Sequence, residues 1–140
     1  NLQFISRRMY RRVDVNAFVG VERTGQGLAD MREKWQRTLE KLKSGVSAAD
    51  LTEFVKFPVN LAGGGLRLPI DEPSEPADLL LLFLSIGDKQ GIICGLAEVV
   101  WTGDADDQGR IPTGMRFVNI LEKDQVRIDA VVENVLKRLG

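Results

Sequence analysis

Four arginines stand within six positions in the segment RRMYRR: Arg7, Arg8, Arg11 and Arg12. A guanidinium is always charged, offers a planar fork of hydrogen-bond donors and stacks on flat rings. Several guanidiniums beside a rigid strand therefore suit a ligand that carries phosphates and aromatic rings. The alternative is that these arginines only solvate a flexible N-terminal arm, since runs of like charge usually face water.

A second candidate segment is the glycine-rich stretch NLAGGG at residues 60–65. Glycine accepts backbone conformations that other residues avoid, so three in a row predict a bulge or tight turn where another backbone or a ligand approaches closely. The exposed N–H groups of such a turn can form an anion-binding nest. The alternative is a simple bend in a barrel strand.

Composition excludes several classes of function. With 19 basic and 20 acidic residues the net charge is -1, which argues against a general DNA- or RNA-binding surface. The chain has no histidine, which removes most zinc sites and the Ser-His and Cys-His nucleophiles. The loop that carries Asp104, Asp106 and Asp107 lacks the terminal glutamate and the spacing of a calcium loop. We expect no enzyme activity, no metal and no resident cofactor.

The single cysteine and the apolar runs bear on location. Cys94 lies in the apolar run GIICGLAEVVW and is expected to be a buried core residue, a usage that fits a reducing cytoplasm. The run LLLLFL is too short to span a membrane, and we see no secretory signal pattern in these residues. We expect a cytoplasmic protein. Since the chain begins at Asn1, whether a further domain precedes it stays open.

The periodicity of apolar residues predicts an α+β fold that is mainly β. Residues 13–21 alternate as in a strand, and residues 28–45 form an amphipathic helix that ends at Gly45. A second helix is predicted from Ser47, which begins a capping-box pattern, to Phe57, which precedes a proline. Further strands are predicted within 58–120, and a C-terminal helix at 122–139. Antiparallel strands joined by short turns favour a small barrel with an outer helix.

At this point the chain resembles the PilZ domain family, the bacterial receptors for cyclic di-GMP. That family has an RxxxR motif before its first barrel strand and a (D/N)xSxxG motif on a later strand. Here Arg8 and Arg12 form the first motif, and residues 60–65 form the second. The strands that contain VVW and MRF and the C-terminal helix are also similar to the family. The resemblance covers residues 7–21 and 57–139.

The resemblance implies a single domain over residues 1–140 that binds cyclic di-GMP and relays the signal to an unknown protein partner. Arginines would grip the phosphates and stack on guanine, Asn60 would bond a guanine edge, and the glycines would let the ligand approach the backbone. The site residues implied are Arg7, Arg8, Arg11, Arg12, Asn60, Ala62, Gly63, Gly64 and Gly65.

Two departures from the family pattern support a rival reading. Ala62 replaces the family serine and removes a hydroxyl that could contact the ligand. Residues 26–56 insert a predicted helical pair where the family has a short hairpin. The rival is a degenerate PilZ-like domain that binds no nucleotide and acts as an oligomeric scaffold or interaction module.

The inserted helix carries an apolar stripe that must be buried. It packs either within the chain or against a partner subunit, and its spacing resembles a short heptad seam. We expect a homo-oligomer built through residues 26–56. The predicted interface residues are Leu28, Met31, Trp35, Leu39 and Leu42.

Overall fold

A computed structural model describes residues 11–139 of the chain. This range holds six strands, two α-helices and one short 3-10 turn at Ala48–Asp50. The strands are β1 (Arg12–Glu22), β2 (Val55–Ala62), β3 (Gly65–Ile70), β4 (Leu79–Ser85), β5 (Ile93–Thr102) and β6 (Ile111–Asn119). The helices are α1 (Leu28–Lys43) and α2 (Glu122–Leu139).

The six strands close into one barrel in the order β1-β2-β3-β6-β5-β4, and every neighbouring pair is antiparallel. Alternate residues of each strand point inward, which is why Val13, Ala17 and Val19 of β1 are buried in the barrel core. The predicted mainly-β barrel is confirmed.

Helix α2 closes one end of the barrel, where Ile128 and Val132 join the core. Arg127 anchors this helix: its Nε and Nη2 donate to the carboxylate of Asp88 at 2.7 and 2.8 Å, and its Nη1 donates to Asp124 at 3.0 Å. The bonds from Arg127 lower the pKa of Asp88, and those to Asp88 raise the pKa of Arg127. The network fixes α2 to the β4–β5 connection.

Helix α1 packs on the outer face of β4 and β5 and so buries its own apolar stripe. Met31 is fully buried, and the indole Nε1 of Trp35 donates to the carbonyl of Cys94 at 3.0 Å. Burial raises the pKa of the Cys94 thiol to about 12, in keeping with the expected core cysteine. The continuous run LLLLFL in β4 has the same explanation, because one face meets the barrel core and the other meets α1.

In this structure the centre of the predicted subunit interface is buried within the chain. Met31 and Trp35 contact the outside of their own barrel, where Leu39 and Leu42 also pack, so they cannot meet a partner subunit in this structure. Leu28, at the start of α1, is 41% exposed. The intrachain alternative is the one the structure adopts, because the apolar outer face of β4 and β5 needs a cover.

The predicted second helix is wrong. Ser47 forms no side-chain cap, only a single 3-10 turn follows, and the chain is already in β2 at Val55. Thr52 packs on Gly20 of β1, where an added Cβ would lie 2.4 Å from the threonine Cγ2. Pairing of β2 with β1 over eight residues outweighs the weak local signal for a helix.

Candidate ligand-binding site

Pairing of β1 with β2 brings the end of the arginine segment to the NLAGGG segment. Arg12 lies opposite Ala62, and Asp14 lies opposite Asn60. The Arg12 Nε donates to Asn60 Oδ1, and Asn60 Nδ2 donates to Asp14 Oδ1 at 3.0 Å. The two motifs meet in spite of the insertion because α1 leaves the barrel after the far end of β1 and the chain returns beside it.

A second guanidinium, that of Arg67 on β3, lies close to Arg12 and opposite Asn60. The pKa of Arg12 is lowered, first by partial burial and second by the positive charge of Arg67. Within residues 11–139 neither side chain forms an ion pair with a carboxylate. Two neighbouring cations without a counter-ion in this range create a local attraction for an anion.

Trp101 extends the same outer surface across the barrel. The strand registers place Asn60, Arg67, Gly114 and Trp101 in one row on β2, β3, β6 and β5. The Arg67 guanidinium lies 5.5 Å from the centre of the indole ring, and Trp101 is 48% exposed. The ring lies over Gly114, where an added Cβ would be in ordinary van der Waals contact with it at 3.4 Å. We call Arg12, Asn60, Arg67 and Trp101 the ligand face.

Sequence reasoning missed Arg67 and Trp101 as site residues. The signal that could have found Arg67 is the short glycine turn, which fixes the β2–β3 register and so places Arg67 opposite Asn60. Trp101 could not be found in this way. It reaches the ligand face through a pairing of β5 with β6 that includes a bulge beside it.

A second row lies beside the ligand face. Registers place Arg12, Ala62, Gly65, Arg116 and Glu98 in line, and the Arg116 Nε donates to Glu98 Oε1 at 2.8 Å. Arg116 and Glu98 also border an open cavity of about 640 Å³ that reaches the start of α1. The residues of the ligand face do not line this cavity, which lies further round the barrel on the side of Glu98.

The glycine run forms the turn between β2 and β3, and contacts within the protein explain two of its members. A Cβ on Gly65 would lie 2.1 Å from the carbonyl oxygen of Met115, and one on Gly63 would lie 2.5 Å from Asp129 Oδ1. The close approach predicted at the glycines is thus made by β6 and α2.

Of the other three arginines in the segment RRMYRR, only Arg11 lies within the described residues. Arg7 and Arg8 lie outside the described residues. Arg11 turns toward α2, where its Nη1 lies 2.8 Å from Glu133 Oε1. The same helix contacts the glycine turn, because Gln125 Nε2 donates to the carbonyl of Gly63. Helix α2 therefore contacts both segments that form the site.

Across residues 11–139, no three His, Cys, Asp or Glu side chains gather closely enough to hold a metal ion. No helix in this part of the chain is long and apolar enough to cross a membrane.

Comparison with known proteins agrees with this fold. The family model for the PilZ domain matches residues 6–134. The chain belongs to the PilZ domain family, whose members are nucleotide-binding receptor domains. No curated protein matches the sequence significantly.

Three solved structures share the fold at low sequence identity. A tetrameric PilZ domain from Xanthomonas campestris, self-assembled through a helical bundle, aligns with TM-score 0.59 and 15% identity over 92% of this chain and 89% of its own. The Bacillus subtilis inhibitor of motility MotI/DgrA aligns with TM-score 0.60 and 15% identity over 93% of this chain and 52% of its own. Escherichia coli YcgR in complex with c-di-GMP aligns with TM-score 0.56 and 13% identity over 95% of this chain and 47% of its own. The chain thus spans about half the length of the last two.

Proposed function

We propose that this protein is a cyclic di-GMP receptor and that the ligand face is its binding surface. The observation that carries the proposal is the contact of Arg12 with Asn60 next to Arg67, which forms no ion pair with a carboxylate within residues 11–139. The YcgR structure, which contains cyclic di-GMP, supports the choice of ligand.

The chemistry of the ligand face matches cyclic di-GMP, which carries two phosphates and two guanines. Arg12 and Arg67 supply guanidiniums for charge-assisted bonds to phosphate oxygens. The exposed ring of Trp101 offers a surface on which a guanine can stack. The amide of Asn60 can turn from Asp14 to a guanine edge. Arg7, Arg8 and the glycine turn complete the proposed site.

Helix α2 is the proposed route to a protein partner. Ligand phosphates would compete with Glu133 for Arg11, and a ligand over the glycine turn would disturb the bond from Gln125 to Gly63. Both events act on α2, so its outer surface would change with ligand occupancy. We propose that the protein works in the cytoplasm, where it relays the signal to a downstream protein.

Calorimetric titration with cyclic di-GMP tests the proposal. We expect saturable binding that Arg12→Ala weakens by about ten- to hundredfold, since a hydrogen bond to a charged group contributes about 1.5 to 3 kcal/mol. The matched control is Arg37→Ala, which removes an exposed arginine from α1. GMP serves as the ligand control. No binding to the folded wild-type protein, or equal binding by Arg12→Ala, would overturn the proposal.

The rival function is a scaffold that binds no nucleotide. Ala62 favours the scaffold, because it places no hydroxyl between Arg12 and Gly65. The tetrameric Xanthomonas relative also favours it, since that PilZ domain assembles through a helical bundle. Against it, the outer face of α1 is charged and polar, with Glu33, Arg37 and Glu40 exposed. Sedimentation velocity tests it: a stable oligomer that binds no cyclic di-GMP would favour the scaffold.

A further inference from the structure

Strands β2 and β3 close the barrel wall by pairing at one end only. These strands pair only at Asn60–Arg67, Leu61–Leu66 and Ala62–Gly65. Beyond these pairs, residues 55–59 of β2 continue along β1, and residues 68–70 of β3 continue along β6, without pairing to each other. We call these two unpaired stretches the open seam. It lies at the barrel end away from α2.

Two prolines explain why the ladder stops. Continuing the register would place Pro58 opposite Pro69. Pro69 lies opposite Pro112 of β6, and Pro58 lies opposite Asn16 of β1. A proline has no N–H, so the Pro69–Pro112 pair cannot be a hydrogen-bonded one, and Pro69 must direct its backbone nitrogen and carbonyl toward the seam. Pro58 stands opposite Pro69 in the continued register and therefore directs its own backbone groups toward the seam as well.

Pro58 and Pro69 would form the next hydrogen-bonded pair of the β2–β3 ladder, and this pair contains no N–H donor. Two carbonyls face the seam at this level, and the groups that would bond them are absent from the opposite strand. The open seam is therefore rich in backbone acceptors, and a strand that brings its own N–H groups can use them.

The surroundings of the open seam are mainly acidic, and the one lysine of the seam, Lys56, lies over the Phe18 ring of β1 at 6.0 Å. A cleft of about 630 Å³ lies along it, with an apolar lining that includes Val21, Phe57 and Ile70. Its charged lining residues are the carboxylates of Glu22, Glu53, Asp71 and Glu72 and the guanidinium of Arg23. The side chains of Asp71 and Glu72 are 80% and 74% exposed, and each has only a distant arginine contact, at 3.8 and 3.6 Å.

We infer that the open seam is a docking surface for a basic, extended segment of a partner protein. Backbone N–H groups of the segment bond the unpaired carbonyls, alternate apolar side chains enter the cleft, and arginines or lysines meet the carboxylates. One arginine of the chain already binds at the edge of this surface: Arg110 lies over the Phe57 ring at 5.5 Å and 3.8 Å from Asp71. This inference is independent of cyclic di-GMP binding.

A synthetic peptide tests the inference. The probe is the blocked heptapeptide acetyl-VRVRVRV-amide, and its control is the same peptide with glutamate in place of arginine. Amide chemical shifts of ¹⁵N-labelled protein are followed during titration in low salt. We expect the basic peptide to shift the amides of Lys56, Phe57, Leu68 and Ile70, and the acidic peptide to shift none of them. Shifts elsewhere only, or no shifts at about 1 mM peptide, a concentration at which even weak binding is visible, would overturn the inference.

Charge reversal separates the open seam from a general electrostatic effect. The variant Glu53→Lys with Glu72→Lys should bind the basic peptide about tenfold more weakly, because two attractions become repulsions. The control Glu33→Lys with Glu40→Lys makes the same change in net charge on the exposed face of α1 and should bind as the wild type does. Equal affinities of the two variants would contradict the inference.

Closing the seam is the decisive variant. Pro58→Val with Pro69→Val restores both N–H donors, so the β2–β3 ladder should extend. The amides at positions 58 and 69 and that of Lys56, which point into the seam, should be protected from exchange, and the basic peptide should no longer bind. A variant with slowed exchange that still binds the peptide as tightly as the wild type would overturn the inference.

Discussion

At the scale of the residue, Ala62 is the position beside the ligand face where the chain departs from the family motif. It is buried between Arg12 on β1 and Gly65 on β3, in the row next to Asn60. The family places a serine here, whose hydroxyl could contact the ligand. The rest of the ligand face does not depend on that hydroxyl, because the guanidiniums and the indole ring lie on other strands.

Ala62→Ser should therefore raise the affinity for cyclic di-GMP by up to about tenfold, the value of one neutral hydrogen bond. Calorimetry of the variant beside Ala62→Gly, which adds no hydroxyl, measures the difference. An affinity that is unchanged or lower in Ala62→Ser, with the fold intact, would show that the ligand does not reach this position.

At the scale of the element, α1 acts as a cover for the outer face of β4 and β5. Trp35 fills this contact and also donates to the backbone of β5. Trp35→Ala should lower the free energy of unfolding by about 3 to 5 kcal/mol, as truncation of a buried large side chain usually does. Urea denaturation measures the change, with the exposed neighbour Gln36→Ala as control. A shift in oligomeric state with unchanged stability would instead support a subunit interface.

Helix α2 depends on the carboxylate of Asp88, whose pKa is lowered by the bonds from Arg127. A carboxylate with a lowered pKa stabilises the fold above its ordinary pKa of about 3.9, and this contribution is lost as the pH falls through the folded-state value. The free energy of unfolding should therefore be nearly constant above about pH 5 and should fall below about pH 4.

The variant Asp88→Asn isolates this contribution. It should cost about 1.5 to 3 kcal/mol at neutral pH and should show a smaller loss of stability on acidification than the wild type. Denaturation series from pH 7 to about pH 3 measure both effects, with the exposed Asp107→Asn as control. The same acid dependence in Asp88→Asn and in the wild type would assign the acid sensitivity to other carboxylates.

At the scale of the whole molecule, the closed barrel is what joins distant segments into one surface. The ligand face takes residues from β1, β2, β3 and β5, so it exists only when the barrel is complete. The open seam involves two of the same strands and begins directly after Asn60–Arg67, the last pair of the β2–β3 ladder.

Because the ligand face exists only in the folded state, cyclic di-GMP should stabilise the whole domain. At a concentration of about 100 times Kd the gain is about 2.7 kcal/mol, which corresponds to a rise in Tm of about 8 °C for a chain of this size. Thermal denaturation followed by circular dichroism measures it, with GMP and the Arg12→Ala variant as controls. An unchanged Tm at a ligand concentration that saturates binding would contradict a site built from barrel strands.

The sequence by itself determined the elements whose signals are local. Alternating valines defined β1, the apolar stripe defined α1, and the glycine run placed the β2–β3 turn. The periodicity of the last segment gave the C-terminal helix Glu122–Leu139. Each of these signals is a repeat or a turn within a few residues, and such signals do not depend on what lies elsewhere in the fold.

Only the tertiary structure decided which surfaces meet. The segment after Ser47 reads locally as a helix but forms only one 3-10 turn, and from Val55 onward the chain pairs with β1 as β2. The stripe on α1 reads as a possible subunit interface but covers its own barrel. Arg67 and Trp101 join Asn60 through strand registers, and the open seam follows from two prolines that meet only in the β2–β3 register. Pairing between strands far apart in sequence is a nonlocal property, which no local pattern contains.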